Sequence, residues 1–206
     1  AEAFKEAADI LEKAADFDTA VHDMIKEQLA AHRRIIFNGN GYADAWVEEA
    51  EMRGLPNIKS MVEAIPALTT EASVRMFEAF NVFTKAELES RVEIEYEAYS
   101  KAINIEARTM IDMAGKQIIP AAVKYATMLA DSLSKVQTAC PDADVSVQAE
   151  LLTETSAYLS DMKVALANLT DVTEKCGIIE NNKEQANAYH DIVVPAMEAL
   201  RAPADK

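Results

Sequence analysis

The sequence predicts an all-α protein: a long antiparallel bundle of three or four helices, kinked at Pro120 and Pro195, preceded by shorter helices and one extended Asn/Gly loop. Three observations predict it. Apolar residues recur every three or four positions through most of the 206 residues, which is the period of one helix face. Helix breakers are scarce, with 5 Gly and 6 Pro. Finally, Leu152, Thr155, Leu159, Met162, Leu166, Leu169, Thr173 and Cys176 alternate steps of three and four, and Leu151, Tyr158, Ala165 and Val172 widen that stripe at sevens. A sustained heptad marks helices packed side by side at a shallow angle.

Residues 1–14 are predicted as a helix with Phe4, Ala7, Ala8, Leu11 and Ala15 at helical spacing. Asp16-Phe17-Asp18 breaks it, and Asp18 is expected to cap the next helix. That helix carries Val21, Ile25, Leu29 and Ala30 and ends in His32-Arg33-Arg34, cations suited to the negative end of the macrodipole. Ile35-Ile36-Phe37 reads as a short buried strand or an extended entry. The two Asn-Gly pairs at 38–41 are expected to take positive φ in tight turns. Two readings of Asn38, Gly39, Asn40 and Gly41 stand side by side: a surface turn, or a fixed backbone that edges a site in a larger protein. Residues 43–53 are predicted helical with Trp46, Val47 and Ala50 inward, stopped by Gly54 and Pro56. A short turn at 60–64 closes before Pro66. Thr69 or Thr70 opens another helix, which ends at Asn81.

Thr84-Lys85-Ala86-Glu87 has the form of a capping box. From there to about residue 138 the chain reads as one very long helix or two end to end. Its stripe is Leu88, Val92, Tyr96, Tyr99, Ile103, Met110, Met113, Gln117 and Ala121, with Pro120 removing a hydrogen bond. Glu106 is expected near the packed face, paired with an arginine of a neighbouring helix. Asp144 caps a helix over 144–175, which Gly177 stops. Asn181 or Asn182 starts the last helix, with Ala186, Tyr189, Val193, Met197 and Leu200 inside and Pro195 within it. The short links at 141–144 and 177–182 force antiparallel neighbours. The chain therefore divides at 82/83, short helices before and the long bundle after.

The formal charge is −15, which argues against nucleic acid, whose binders need a basic face. It argues equally against an anionic lipid surface, and no apolar run approaches the roughly 18 residues of a membrane span. The five glycines form neither GxGxxG nor GxxxxGK[ST], so neither common nucleotide-phosphate loop is present. None of His22, His32 and His190 follows a Glu by three positions, which excludes the Glu-x-x-His di-iron pattern, and neither His-Glu-x-x-His nor GxSxG occurs. Cys140 and Cys176 flank a helix about 45 Å long, too far for a bridge. Two free thiols are expected, as suits a reducing cytoplasm. The chain opens on Ala1 and is read as a piece of a longer protein.

Several runs resemble the C-terminal part of type III glutamine synthetases. They are Ile-Ile-Phe-Asn-Gly-Asn-Gly-Tyr at 35–42, Trp46, Glu49-Ala50-Glu51, Arg53-Gly54-Leu55-Pro56-Asn57 and Ala64-Ile65-Pro66-Ala67-Leu68. Glu87-Leu88-Glu89-Ser90-Arg91 and Ile103-Asn104-Ile105-Glu106-Ala107 continue the likeness in the same order, over about half the chain. The resemblance implies a cytoplasmic, homo-oligomeric parent enzyme that joins ammonia to glutamate through a γ-glutamyl phosphate, with ATP and Mg or Mn. It implies that the metal-binding glutamates and the ATP loop lie upstream. No catalytic or metal residue is therefore assigned here, no cofactor is expected on this piece, and its first partner is the remainder of the same polypeptide. Asn38, Gly39, Asn40 and Gly41 are the candidate site edge or subunit contact. The alternative is a stand-alone helical bundle that binds a partner or senses a ligand between its helices.

Overall fold

The computed structural model describes residues 2–206. The described residues are helical or irregular and no strand forms among them. In order come α1 (Glu2–Leu11), α2 (Phe17–Ala31), α3 (Asp44–Met52), α4 (Met61–Ala64) and α5 (Glu71–Ala79). They are followed by α6 (Lys85–Met113), α7 (Ile119–Ala139), α8 (Ser146–Gly177), α9 (Asn182–Ala188) and α10 (Val194–Ala204). The predicted fold class is the one observed. The chain divides into two compact units between Glu89 and Ser90, inside α6.

In the first unit α1 lies against α2. Helix α1 stops at Leu11, short of the predicted 14, and neither helix buries a residue fully. The cap of α2 is Asp16, not Asp18: its carboxylate accepts the Thr19 N–H at 3.3 Å and the Thr19 hydroxyl at 3.0 Å. Asp18 stands in the first turn, where it favours the dipole instead. Helix α4 closes at Ala64, before Pro66 as predicted, and the chain then tightens into a 3₁₀ turn over Ile65–Thr69 with the proline at its start, where a missing N–H costs nothing. Thr70 caps α5, and Asn81 takes φ 52° beyond its end. The capping box at Thr84 forms in both directions. The Thr84 N–H donates to Glu87 at 2.8 Å, and the Glu87 N–H donates to the Thr84 hydroxyl at 3.3 Å.

The second unit is built on α8, which packs against α7 and α10. Its core joins Ala107, Ala114, Met162, Leu169, Cys176, Tyr189, Val193, Ala196 and Leu200. The predicted heptad supplies Met162, Leu169, Thr173 and Cys176 to it. Two prolines of this unit are each preceded by a π turn, Ala114–Ile118 before Pro120 and Tyr189–Val193 before Pro195. The Ile119 N–H reaches back five residues to Ala114, and the Val194 N–H five residues to Tyr189. The wider turn absorbs the carbonyl that a proline ring would strike.

That inserted residue moves the apolar stripe. Before it the inward positions are Tyr96, Ile103, Ala107 and Ala114; after it they are Ile119, Ala122, Ala126 and Leu129, so the step across the π turn is five. Met113, Gln117 and Ala121, predicted inside, are exposed. Glu106 is exposed too and pairs with no arginine among the described residues, because Ala107 takes the buried position beside it. Gly177 is the last residue of α8, not the stop beyond it. The cap position of α8 is Val145, not the predicted Asp144, which stands one residue ahead and accepts the Ser146 N–H at 2.9 Å; Asn181 caps α9 through the Glu184 N–H. Both cysteines are free, Cys140 exposed and Cys176 buried. Among the described residues no helix is long and apolar enough to cross a membrane.

Candidate functional site

The loop that carries Asn38, Gly39, Asn40 and Gly41 is pinned at its base and open at its tip. After α2 the chain makes one 3₁₀ turn at Arg33–Ile35, not a strand, and Ile35 and Ile36 are 60% and 43% exposed. Phe37 then turns in and stacks on Trp46, ring centroids 4.0 Å apart and 22° from parallel. The Arg53 guanidinium lies 5.4 Å from the same indole. Its Nη1 donates to the carbonyls of Arg34 at 3.1 Å and Ile36 at 2.9 Å, and its Nη2 pairs with Glu49. One planar cation therefore holds the entry to the loop, the face of the indole and its own helix together.

The tip owes its shape to side-chain hydrogen bonding and close packing, not to left-handed backbone. Asn40 accepts the Tyr42 N–H at 3.0 Å, an Asx turn. A Cβ at Gly39 would stand 2.5 Å from Cζ of Phe37, so the ring that anchors the loop needs a bare backbone there. Neither Gly39 nor Gly41 has positive φ; among the described glycines that conformation belongs to Gly54, at φ 68°. The expectation of positive φ at both Asn-Gly pairs is corrected accordingly. Asn38, Gly39, Asn40 and Gly41 are all exposed, and Tyr42 is fully so. Val47, predicted inward, is 39% exposed, while Ala50 alone of α3 is buried.

The structure thus joins Ile-Ile-Phe-Asn-Gly-Asn-Gly-Tyr and Arg-Gly-Leu-Pro-Asn in one clasp. The residue missed by the sequence reading is Arg53. Its signal is a lone cation just before a helix-stopping glycine, which reads as an ordinary helix end. Chemically the loop offers amide and backbone groups on an exposed tip and no nucleophile or base. Among the described residues no three His, Cys, Asp or Glu side chains gather as a metal site would require. The donors here do not fit Mg or Mn.

Residues 20–137 match the family described as glutamine synthetase C-terminal domain. The chain is 36% identical over 186 residues to a glutamine synthetase of Butyrivibrio fibrisolvens, covering 90% of this chain and 27% of that protein. It is 32% identical over 203 residues to a glutamine synthetase of Bacteroides fragilis, covering 96% of this chain and 28% of that protein. It is 28% identical over 200 residues to a type-3 glutamine synthetase of Dictyostelium discoideum, covering 94% and 27%. The chain therefore spans little more than a quarter of the length of these relatives.

Proposed function

We propose, from the premise that this chain belongs to the glutamine synthetase C-terminal domain family, that it is the non-catalytic C-terminal region of a type III glutamine synthetase. The parent reaction is the ATP-dependent ligation of ammonia to glutamate, carried out in the cytoplasm by the remainder of the polypeptide. ATP and Mg or Mn bind there. This region completes the subunit and supplies contacts between subunits of a homo-oligomer.

The observation that carries the reading is the asymmetry of coverage. The likeness runs through 90% to 96% of this chain but only 27% to 28% of each relative. The clasp supports the second half of the reading. A loop held by Phe37, Trp46 and Arg53, with Tyr42 bare at its tip, is a rigid projection suited to docking on another surface.

The test compares the full-length enzyme, the same enzyme ending before residue 1, and residues 1–206 alone. Phosphate release dependent on ammonia and glutamate is measured for each, and assembly mass by sedimentation velocity. Residues 1–206 alone should read blank, and the shortened enzyme should lose its native assembly mass. Turnover by residues 1–206, or a shortened enzyme of full mass and activity, overturns the assignment.

A further inference from the structure

We propose that a cleft in the second unit, between α6 and the α8–α9 turn, binds a free α-amino acid as its zwitterion, the carboxylate held by Arg108 and the Tyr189 hydroxyl and the ammonium by Glu174. This inference rests on the cleft alone and stands or falls apart from the family reading. The cleft has a volume of about 440 Å³, which accommodates a molecule of that size.

Tyr189 lines it and is 2% exposed. Its hydroxyl has no hydrogen-bond partner among the described residues, whereas no fully enclosed side-chain nitrogen or oxygen is left unpaired. The hydroxyl is therefore a buried residue's one polar atom, open to the cleft. Burial, the larger influence, raises the Tyr189 pKa against the opposing pull of Arg108. The phenol is thus kept a donor at neutral pH.

Arg108 reaches the same cleft from α6. Only its Nε is engaged, donating to Asn104 Oδ1 at 3.0 Å, so the two terminal nitrogens remain for a planar acceptor. Glu174 faces it from α8 and forms no ion pair among the described residues. Gln185 is committed to the wall, donating to the carbonyls of Cys176 at 3.3 Å and Gly177 at 3.4 Å. Lys101 also lines the cleft but is paired with Glu97 at 2.6 Å, so a plain anion would meet Arg108 but confront Glu174, and a plain cation the reverse. A molecule with a carboxylate and an ammonium two bonds apart on one carbon satisfies all three groups.

The experiment places 3-fluorotyrosine at position 189 of the full-length protein and follows its ¹⁹F resonance. Glycine, L-glutamate and L-glutamine are titrated, with acetate and methylamine as half-molecule controls. A saturable shift is expected with at least one amino acid and with neither control. In Arg108→Gln and in Glu174→Gln, surface changes that keep helix propensity, the apparent affinity should fall about tenfold or more. No shift with any amino acid overturns the proposal, as does an equal shift with acetate. So does binding of undiminished strength in either variant, which would place the effect at a distant site.

Discussion

Replacing Arg53 by Ala removes four interactions at once, and the structure sets the scale of the loss. Two hydrogen bonds run from a charged donor to the Arg34 and Ile36 carbonyls at 3.1 and 2.9 Å. Each such bond contributes about 1.5 kcal/mol when buried. The contact over Trp46 adds about 0.5 kcal/mol, and the pair with Glu49 adds less than about 1 kcal/mol. The Arg53 and Glu49 side chains are 28% and 40% exposed, so solvent reclaims part of each term and the net loss is about 2 kcal/mol. Trp46 is the single tryptophan, so its fluorescence reports this clasp directly in a urea titration. With a local slope of about 1.5 kcal/mol per molar, the midpoint should fall by about 1.3 M. Arg53→Lys keeps the charge but cannot bridge two carbonyls while lying flat on the indole, and should lose about half as much. An Arg53→Ala midpoint within error of the parent, or a lysine variant equal to the arginine, would refute the clasp as the source of loop order.

Leu169 is fully buried in the second unit, so Leu169→Ala should cost about 3 kcal/mol in chemical denaturation, while Met113→Ala, on the exposed side of the π turn, should change little. Cys140 is exposed and Cys176 is buried with its thiol pKa raised by burial, so a thiol reagent should titrate one group at once and the second only on unfolding. The Thr19 N–H bond holds the Asp16 carboxyl below its ordinary pKa; its contribution is whole above the ordinary aspartate value and is lost as pH falls through the lowered one. The Thr19 amide resonance should follow that acid transition, and Asp16→Ala should abolish it.

Which elements were legible in the sequence follows from where their signals reside. The heptad of α8 was readable because Met162, Leu169 and Cys176 meet the core through an uninterrupted α-helix. The capping box at Thr84 was readable because a cap is a bond within three residues, and the helix starts at Thr70 and Asn181 were readable to within one residue, whereas the cap expected at Asp18 fell to Asp16. The stripe of α6 and α7 failed at one place. Met113 lies ahead of the π turn and is exposed because Ala114 takes the buried position beside it; a period of 3.6 carried on from there puts Gln117 and Ala121 inside, and the one extra residue in the π turn rotates both by about 100°. The proline announces that a hydrogen bond is lost at 120. Whether the helix answers by bending or by widening depends on what packs against it, which the local sequence does not encode.

The loop at 38–42 shows the same division at a finer scale. Asn-Gly-Asn-Gly announces a turn, and composition alone then favours positive φ, since only glycine enters that region freely. The folded chain spends the glycine otherwise: Gly39 is bare because Phe37 lies where its Cβ would be, and Phe37 lies there because Trp46 and Arg53 hold it. A glycine kept for close approach and a glycine kept for φ look identical in sequence. They separate on substitution. Gly39→Ala at an ordinary φ strains no backbone but displaces the ring, so the change should appear in Trp46 fluorescence before it appears in global stability. Gly54→Ala strains the backbone at φ 68° where nothing stands within 4 Å of a new Cβ, so its cost should appear at the end of α3 with the indole environment unmoved.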